Sequence, residues 1–186
     1  MNNKQLSYLG GTAELAIGKN LIDPGFLGTI TVNFAEGTRS TNSQRGVITR
    51  PSGLIQTAQI EGNYILPSMD ALKVLYEDIY EKPLTDELFG RIRVGGGTCM
   101  AKTPKTVNIH YSCEENSDND FHVFAGLVQL NLNWTYDAEN NLVVPFTIFA
   151  QPDGENGYAI IGAGDLEQKT LWDHTTEAWI PVGEES

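Results

Sequence analysis

The sequence predicts a mainly β fold, an antiparallel β-sandwich or open barrel with one packed α-helix. Three observations predict it. About seven segments alternate apolar and polar residues, or run apolar between turn residues, as strands do. One stretch alone, residues 67–83, has convincing helical periodicity. Its apolar residues make a single stripe, which needs a sheet to lie on. A chain of 186 residues suits one domain spanning 1–186. At this size roughly 70% of the extended-chain surface is buried, enough for a core without staples.

Taken in order, residues 1–25 are Gly-rich, with a short strand expected at 13–17 and a turn at Asp23-Pro24-Gly25. Residues 26–34 alternate, with Ile30, Val32 and Phe34 on one face and Thr29, Thr31 and Asn33 on the other. Residues 35–46, AEGTRSTNSQRG, are nearly devoid of apolar side chains and predict a long exposed polar loop. Strand is expected at 47–49 and 54–66, interrupted at Pro51-Ser52-Gly53. The helix is placed at about Ser68–Lys82. Ser68 is its expected N-cap, Asp70 complements the positive end of the dipole, and Pro83 is the stop. Leu72, Leu75, Tyr76 and Ile79 form the stripe.

Beyond the helix, residues 84–93 are ambiguous, with one more helical turn possible at 85–89, and Gly95-Gly96-Gly97 reads as a flexible connector. Residues 106–112 alternate, and an acidic turn at 114–120 joins them to a long strand at 121–136. Val128, Leu130, Leu132 and Trp134 are assigned to its apolar face, and Gln129, Asn131 and Asn133 to the polar one. Residues 142–151 are the antiparallel partner, and Pro145 predicts an edge or a bulge there. A short strand at 158–161 and a terminal strand region with Trp172 and Trp179 complete the fold, with flexible N- and C-terminal arms.

Motifs of chemistry are missing. No nucleophile elbow, phosphate loop or paired-histidine metal motif occurs, and His110, His122 and His174 stand singly. Glu114, Asn116, Asp118 and Asp120 alternate somewhat like a calcium loop but lack its glycine and closing glutamate, so a solvated turn is expected. Cys99 and Cys113 make no disulfide framework and no metal knuckle. No catalytic residue, cofactor or metal is therefore assigned, and an enzyme is not expected. The N-terminus lacks a secretory signal pattern, and no apolar run of membrane-spanning length occurs.

Charge is unevenly placed. Residues 1–105 carry eleven Lys/Arg against ten Asp/Glu, a balance of +1, whereas 106–186 carry Lys169 against fourteen acids, a balance of −13. A net charge of −12 argues against tight nucleic-acid binding, which needs a basic footprint. It permits head-to-tail self-association or serves solubility alone. The polar strand faces carry amides and hydroxyls where a free solvent face often carries Lys and Glu. Such faces suit protein contact, the lining of a wet space, or plain solvent.

The chain resembles the tail tube (major tail) proteins of long-tailed bacteriophages, which are similar to type VI secretion tube proteins. The resemblance runs from about residue 26 to 180. It rests on the order of elements and on the segments RPSGLIQTAQIEGNYILPSMDALKVLYEDIY and NLVVPFTIFAQPDG. It implies a structural virion protein whose hexameric rings stack into a tube, a conduit for DNA as non-specific passenger. Implied partners are further copies of itself and tape measure, tail-initiator and tail-terminator proteins. The implied location is the virion tail, assembled in the host bacterial cytoplasm. On this reading Arg39, Arg45 and Arg50 of the loop make inter-subunit contacts, and Gln129, Asn131 and Asn133 line the lumen or an interface. A virion decoration or carbohydrate-binding module is the alternative, with Trp134, Trp172 and Trp179 as its aromatics.

Overall fold

Most of the alternating segments form strands, and among the described residues eight strands pair into one curled antiparallel sheet. The computed structural model describes residues 12–83, 85, 90–95, 103–111, 120–134, 142–154, 157–162, 171–173 and 178–180. Expectations for Cys99, Cys113, Glu114, Asn116, Asp118, His174 and the terminal arms lie outside these residues.

The chain opens with β1 (Ala13–Ile17) and β2 (Asn20–Ile22), then a 3-10 turn at Pro24–Phe26 in which the Asp23 carboxylate accepts from Gly25 N at 2.7 Å. β3 (Leu27–Ser43) and β4 (Gly46–Ile65) follow as a long hairpin. A helical connection leads to β5 (Tyr80–Glu81) and β6 (Arg91–Ile92), which pair with each other. Then come β7 (Lys105–Tyr111), β8 (Phe121–Gln129), β9 (Val143–Ala150) and β10 (Ala159–Ile161). β11 (Leu171–Asp173) pairs with β12 (Ala178–Ile180).

Among the described residues the main sheet has eight strands in the order β2-β1-β7-β8-β9-β4-β3, with β10 added to β8. β2 and β3 stand at opposite ends of that order, yet Ile22 and Leu27 are only five residues apart. Laid flat, seven strands would separate the ends by roughly 29 Å, whereas five extended residues reach about 18 Å. The sheet must therefore curl. It does: Phe34 of β3 stacks edge-on against Phe121 of β8 (centroids 5.4 Å apart) and against Tyr158 (6.4 Å). Inside the curl lie Leu15, Ile17, Ile60, Val107, Val123, Phe146 and Ile148, all buried. The fold is mainly antiparallel β with a single short α-helix, as the alternation predicts.

Several local expectations are corrected. The helix does not run from Ser68 to Lys82. It is a 3-10 turn at Met69–Leu72, one α-turn, α1 (Lys73–Tyr76), and a further 3-10 turn at Glu77–Ile79. Ser68 makes no side-chain cap. Tyr76, at φ −126° and ψ 39°, leaves the helical region and breaks the run, and the chain is extended again by Tyr80. The stripe survives the break, with Leu72, Leu75 and Tyr76 buried against the core and Ile79 packed beside them.

Of the expected loop at 35–46, residues 35–43 are strand, paired with the other arm of the hairpin, and Gln44 and Arg45 are the turn. The expected interruption at Pro51-Ser52-Gly53 is a bulge in the continuous β4. Glu36 pairs with Ile55 and Thr38 with Pro51, so Gly37 faces three residues. The Glu36 carboxylate accepts from Gly53 N, and Gly53 has a φ of 74°.

The strand expected at 121–136 stops at Gln129. Residues 130–134 leave the sheet for the helical connection, where the Tyr76 hydroxyl donates to Asn131 O at 3.1 Å and accepts from its N at 3.3 Å. Pro145 is not on an edge strand, since β9 lies between β4 and β8. Leu66 N donates to Leu142 O at 2.8 Å, so alternation makes Asn63–Pro145 a non-hydrogen-bonded pair with β4. The proline nitrogen therefore faces the β8 side, where registered pairing has already ended at Gln129–Thr147. Among the described residues no helix is long and apolar enough to cross a membrane.

Candidate functional site

Two surfaces of this sheet are built unlike ordinary solvent faces. The first is the outer half of the β3–β4 hairpin. β9 covers the free edge of β4 only along Gln59–Ile65, and β3 ends the sheet. Beyond that point the two strands form a projecting ribbon, paired with each other as far as Ser43 and Gly46. Among the described residues no further strand pairs with either of its edges, which leaves a template for adding another strand. The ribbon is also apolar in places: Val47 is 66% exposed and Leu54 62%, with Ile48 and Ile55 also exposed.

The ribbon's two faces differ. On one, Ser40 Oγ and Thr49 Oγ1 share a hydrogen bond at 3.0 Å. On the other, Arg39 stands directly opposite Arg50, flanked by the Thr41–Ile48 pair. Like charges in register disfavour the strand pairing, so this face is complementary to an anionic surface. Arg45 sits in the two-residue turn between Ser43 and Gly46. The three arginines singled out in the sequence thus belong to one ribbon, two of them side by side and one at the tip.

The second surface is the outer face of β3, β4, β9 and β8. Register fixes its members: Thr31 and Asn33 on β3, Gln59, Glu61 and Asn63 on β4, Thr147 on β9 and Gln129 on β8. Its polar members are amides and hydroxyls, with Glu61 the one charged side chain among them, held by Gln59 Nε2 at 2.8 Å. By the same register Phe149, Leu127 and Pro145 share the face. An open hollow of about 320 Å³ between Thr29, Thr31, Glu61, Asn63 and Thr147 marks its centre. Gln59, Glu61, Asn63 and Thr147 were legible as the polar half of two alternating strands, but which face they shared with β3 depended on register.

Of the polar-face residues expected from the long strand, only Gln129 is in the sheet. Asn131 is half-buried against Tyr76, and its Oδ1 accepts from Asn133 N at 3.2 Å in a local turn. Asn108, on the polar half of the alternating residues 106–112, is buried. His110 Nδ1 lies 2.7 Å from Asp120 Oδ1, and His122 stands on the neighbouring strand in register with Asn108. Among the described residues no group of three or more His, Cys, Asp or Glu is placed to hold a metal. Trp134 packs against the core rather than standing on an aromatic platform, and the side chains of Trp172 and Trp179 lie outside the described set.

Comparison of the sequence finds no matching protein family and no matching curated protein. The fold is similar to chains of two solved structures of an extracellular contractile injection system. One, from the PVC sheath/tube terminator in the extended state, superposes with a TM-score of 0.53 at 14% identity, covering 85% of this chain and 99% of that chain. The other, from the PVC sheath-tube complex in the extended state, has a TM-score of 0.53 at 12% identity and covers 87% of this chain and 95% of that one. At such identity what is shared is the fold.

Proposed function

We propose that this chain is a structural tail protein that self-associates into stacked hexameric rings, forming the tail tube of a long-tailed bacteriophage. The observation that carries the reading is the projecting β3–β4 ribbon, with two open strand edges, exposed Val47 and Leu54, and Arg39 in register with Arg50. Such a ribbon is unfavourable in an isolated chain and favourable when a neighbouring copy supplies strand pairing and carboxylates. Residues 106–186, at a balance of −13, supply the carboxylates. The near-neutral outer face with Gln129, Thr147 and Asn63 is the lining or the adjoining contact of the tube. A face of hydroxyls, amides and a few apolar side chains with one acid offers DNA no basic footprint, so the polymer passes without sticking. Tape measure, tail-initiator and tail-terminator proteins would complete the assembly in the host cytoplasm. The shared fold with a contractile injection system's sheath and tube assemblies supports a role of this kind.

Electron microscopy of the purified full chain tests it, over a concentration series and at low salt. Rings or tubes of uniform diameter are expected. Deleting residues 38–51, which trims the ribbon at the registered Thr38–Pro51 pair, should leave a folded chain by circular dichroism and abolish the assemblies. A strictly monomeric wild type under all these conditions, or tubes from the deletion, overturns the reading.

A further inference from the structure

Where β7 meets the start of β8, on the side opposite the core residues Val107 and Val123, the structure buries a polar cluster that the tube reading leaves without a task. Asp120 is 1% exposed. Its Oδ2 accepts from Asn108 Nδ2 at 2.7 Å, its Oδ1 lies 2.7 Å from His110 Nδ1, and its main-chain oxygen accepts from Gly162 N at 2.7 Å. One residue therefore joins β7, the start of β8 and the end of β10. His122, two positions on, is likewise 1% exposed, with its ring edge-on to Phe124 at 5.2 Å. It stands in register with Asn108 of β7 and Ile160 of β10. Among the described residues the titratable groups on the strands around it are Asp120 at the head of its own strand, His110 on β7, and Glu14 of β1, which is registered opposite His110. β10 faces it with Ile160 and brings no charge.

Among the described residues β10 pairs with β8 alone, and of its three residues Ala159 packs against the core. Its three residues pair with Phe121, His122 and Val123, and Phe124 N donates to Tyr158 O just before it. None of the three is buried, and Ile161 is 76% exposed. A strand held by few hydrogen bonds and little apolar burial opens before the core does.

We propose that Asn108, His110, Asp120 and His122 form an acid-sensitive clasp that releases β10 from β8 while the rest of the sheet stays closed. The closed state disfavours a charged imidazole, because burial pushes His122 down to about 4 against a weaker upward pull from Asp120. Once β10 lifts away, water reaches the ring and its ordinary value returns. Opening is then coupled to uptake of one proton and grows as pH falls below the ordinary histidine value. Release vacates the β8 edge at Phe121–Val123 and frees a strand edge for another chain.

Amide hydrogen exchange on the full chain at pH 7.5 and pH 5.0, expressed as protection factors, tests this. Protection at Phe124 and Gly162 should fall roughly thirtyfold between the two, the ratio set by a shift from 6.5 to about 4. Amides of β4 and β9 should keep theirs. His122→Gln, which fills similar space without titrating, should flatten the dependence. Asp120→Asn, which leaves one acceptor for two donors, should expose both amides about tenfold more at pH 7.5. Should His122→Gln fail to fold, the wild-type His122 ring resonance serves instead, and its titration must track the opening of Gly162. Unchanged protection at pH 5.0, equal loss in β4 and β9, a pH dependence surviving His122→Gln, an unaltered Asp120→Asn, or a His122 titration near 6.5 in the closed state each overturns the proposal.

Discussion

Asp70 shows how one carboxylate changes its task between chain and fold. A helix-dipole argument makes it a first-turn acid, yet its Oδ1 is taken by the Tyr80 hydroxyl at 2.5 Å and by Gly90 N at 2.6 Å. The bond from Tyr80, then that from Gly90, holds its carboxyl below the ordinary range. The residue pins the start of the helical connection to the β5–β6 pair. Gly90 belongs to the same knot: a Cβ there would sit 2.0 Å from the Tyr80 Oη and 2.2 Å from its Cζ. Gly90→Ala must displace the tyrosine and should destabilise the chain by about 1–3 kcal/mol, read from urea unfolding. Gly62 obeys the same logic in the core, where its missing side chain admits Phe146, whose Cζ would lie 2.5 Å from an added Cβ.

At the scale of elements, the helical connection is held by partners on three sides. Tyr76 bonds the Asn131 main chain, Lys105 Nζ of β7 pairs with Glu77 Oε2 at 2.5 Å, and Glu81 holds Arg91 at 2.6 Å and Arg93 at 2.7 Å. The Lys105 hydrogen bond is the chief cause lowering the Glu77 carboxyl below its ordinary value. A depressed carboxyl adds stability that is present above its unfolded pKa and lost as pH falls through the folded one. Wild type should therefore lose a small increment in acid below about pH 4.5 that Glu77→Gln does not lose, measured by thermal melts across pH. The increment is small because Glu77 is half exposed. The ribbon supports a prediction of opposite sign in two assays. Arg39→Glu places unlike charges in register with Arg50, so ribbon amides should gain protection, by roughly 0.2–1 kcal/mol. The same change removes the cationic face, so ring or tube formation should fall. If Arg39→Glu assembles as well as wild type, the arginine pair is not a contact.

For the whole molecule, the division of charge is the property that assembly would exploit. Attraction between a ribbon carrying Arg39, Arg45 and Arg50 and an acid-rich second half is screened over about 8–10 Å at ordinary ionic strength. Raising salt from low to near-molar should shift light-scattering assembly curves to higher protein concentration. Insensitivity to salt would leave strand pairing and the exposed Val47, Leu54 and Ile55 as the binding surface.

Much of the fold was legible in order. The strands at 13–17, 26–34, 106–112 and 142–151, and the buried stripe of Leu72, Leu75 and Tyr76, follow from side-chain period alone, because burial on one face imposes that period. The candidate arginines and Gln129 were legible as residue types in polar stretches. Their arrangement was not. Residues 35–46 have no apolar pattern, so nothing local distinguishes a loop from a ribbon whose strands are held by backbone bonds to each other. The alternation through Asn131 and Asn133 suggested more strand, but the Tyr76 hydroxyl takes the backbone of Asn131 instead. Likewise the helix ends at a dihedral break at Tyr76, and the chain then pairs Tyr80 and Glu81 with β6, a contact that the local pattern does not announce. The sequence by itself determined which apolar side chains of the regularly alternating strands turn inward, since water sorts side chains by polarity. It did not determine that Asn108, His110, Asp120 and His122 are buried while Val47 and Leu54 stay exposed. Only the tertiary structure decided where strands stop and which polar groups meet, since backbone and carboxylate partners are chosen by proximity in space.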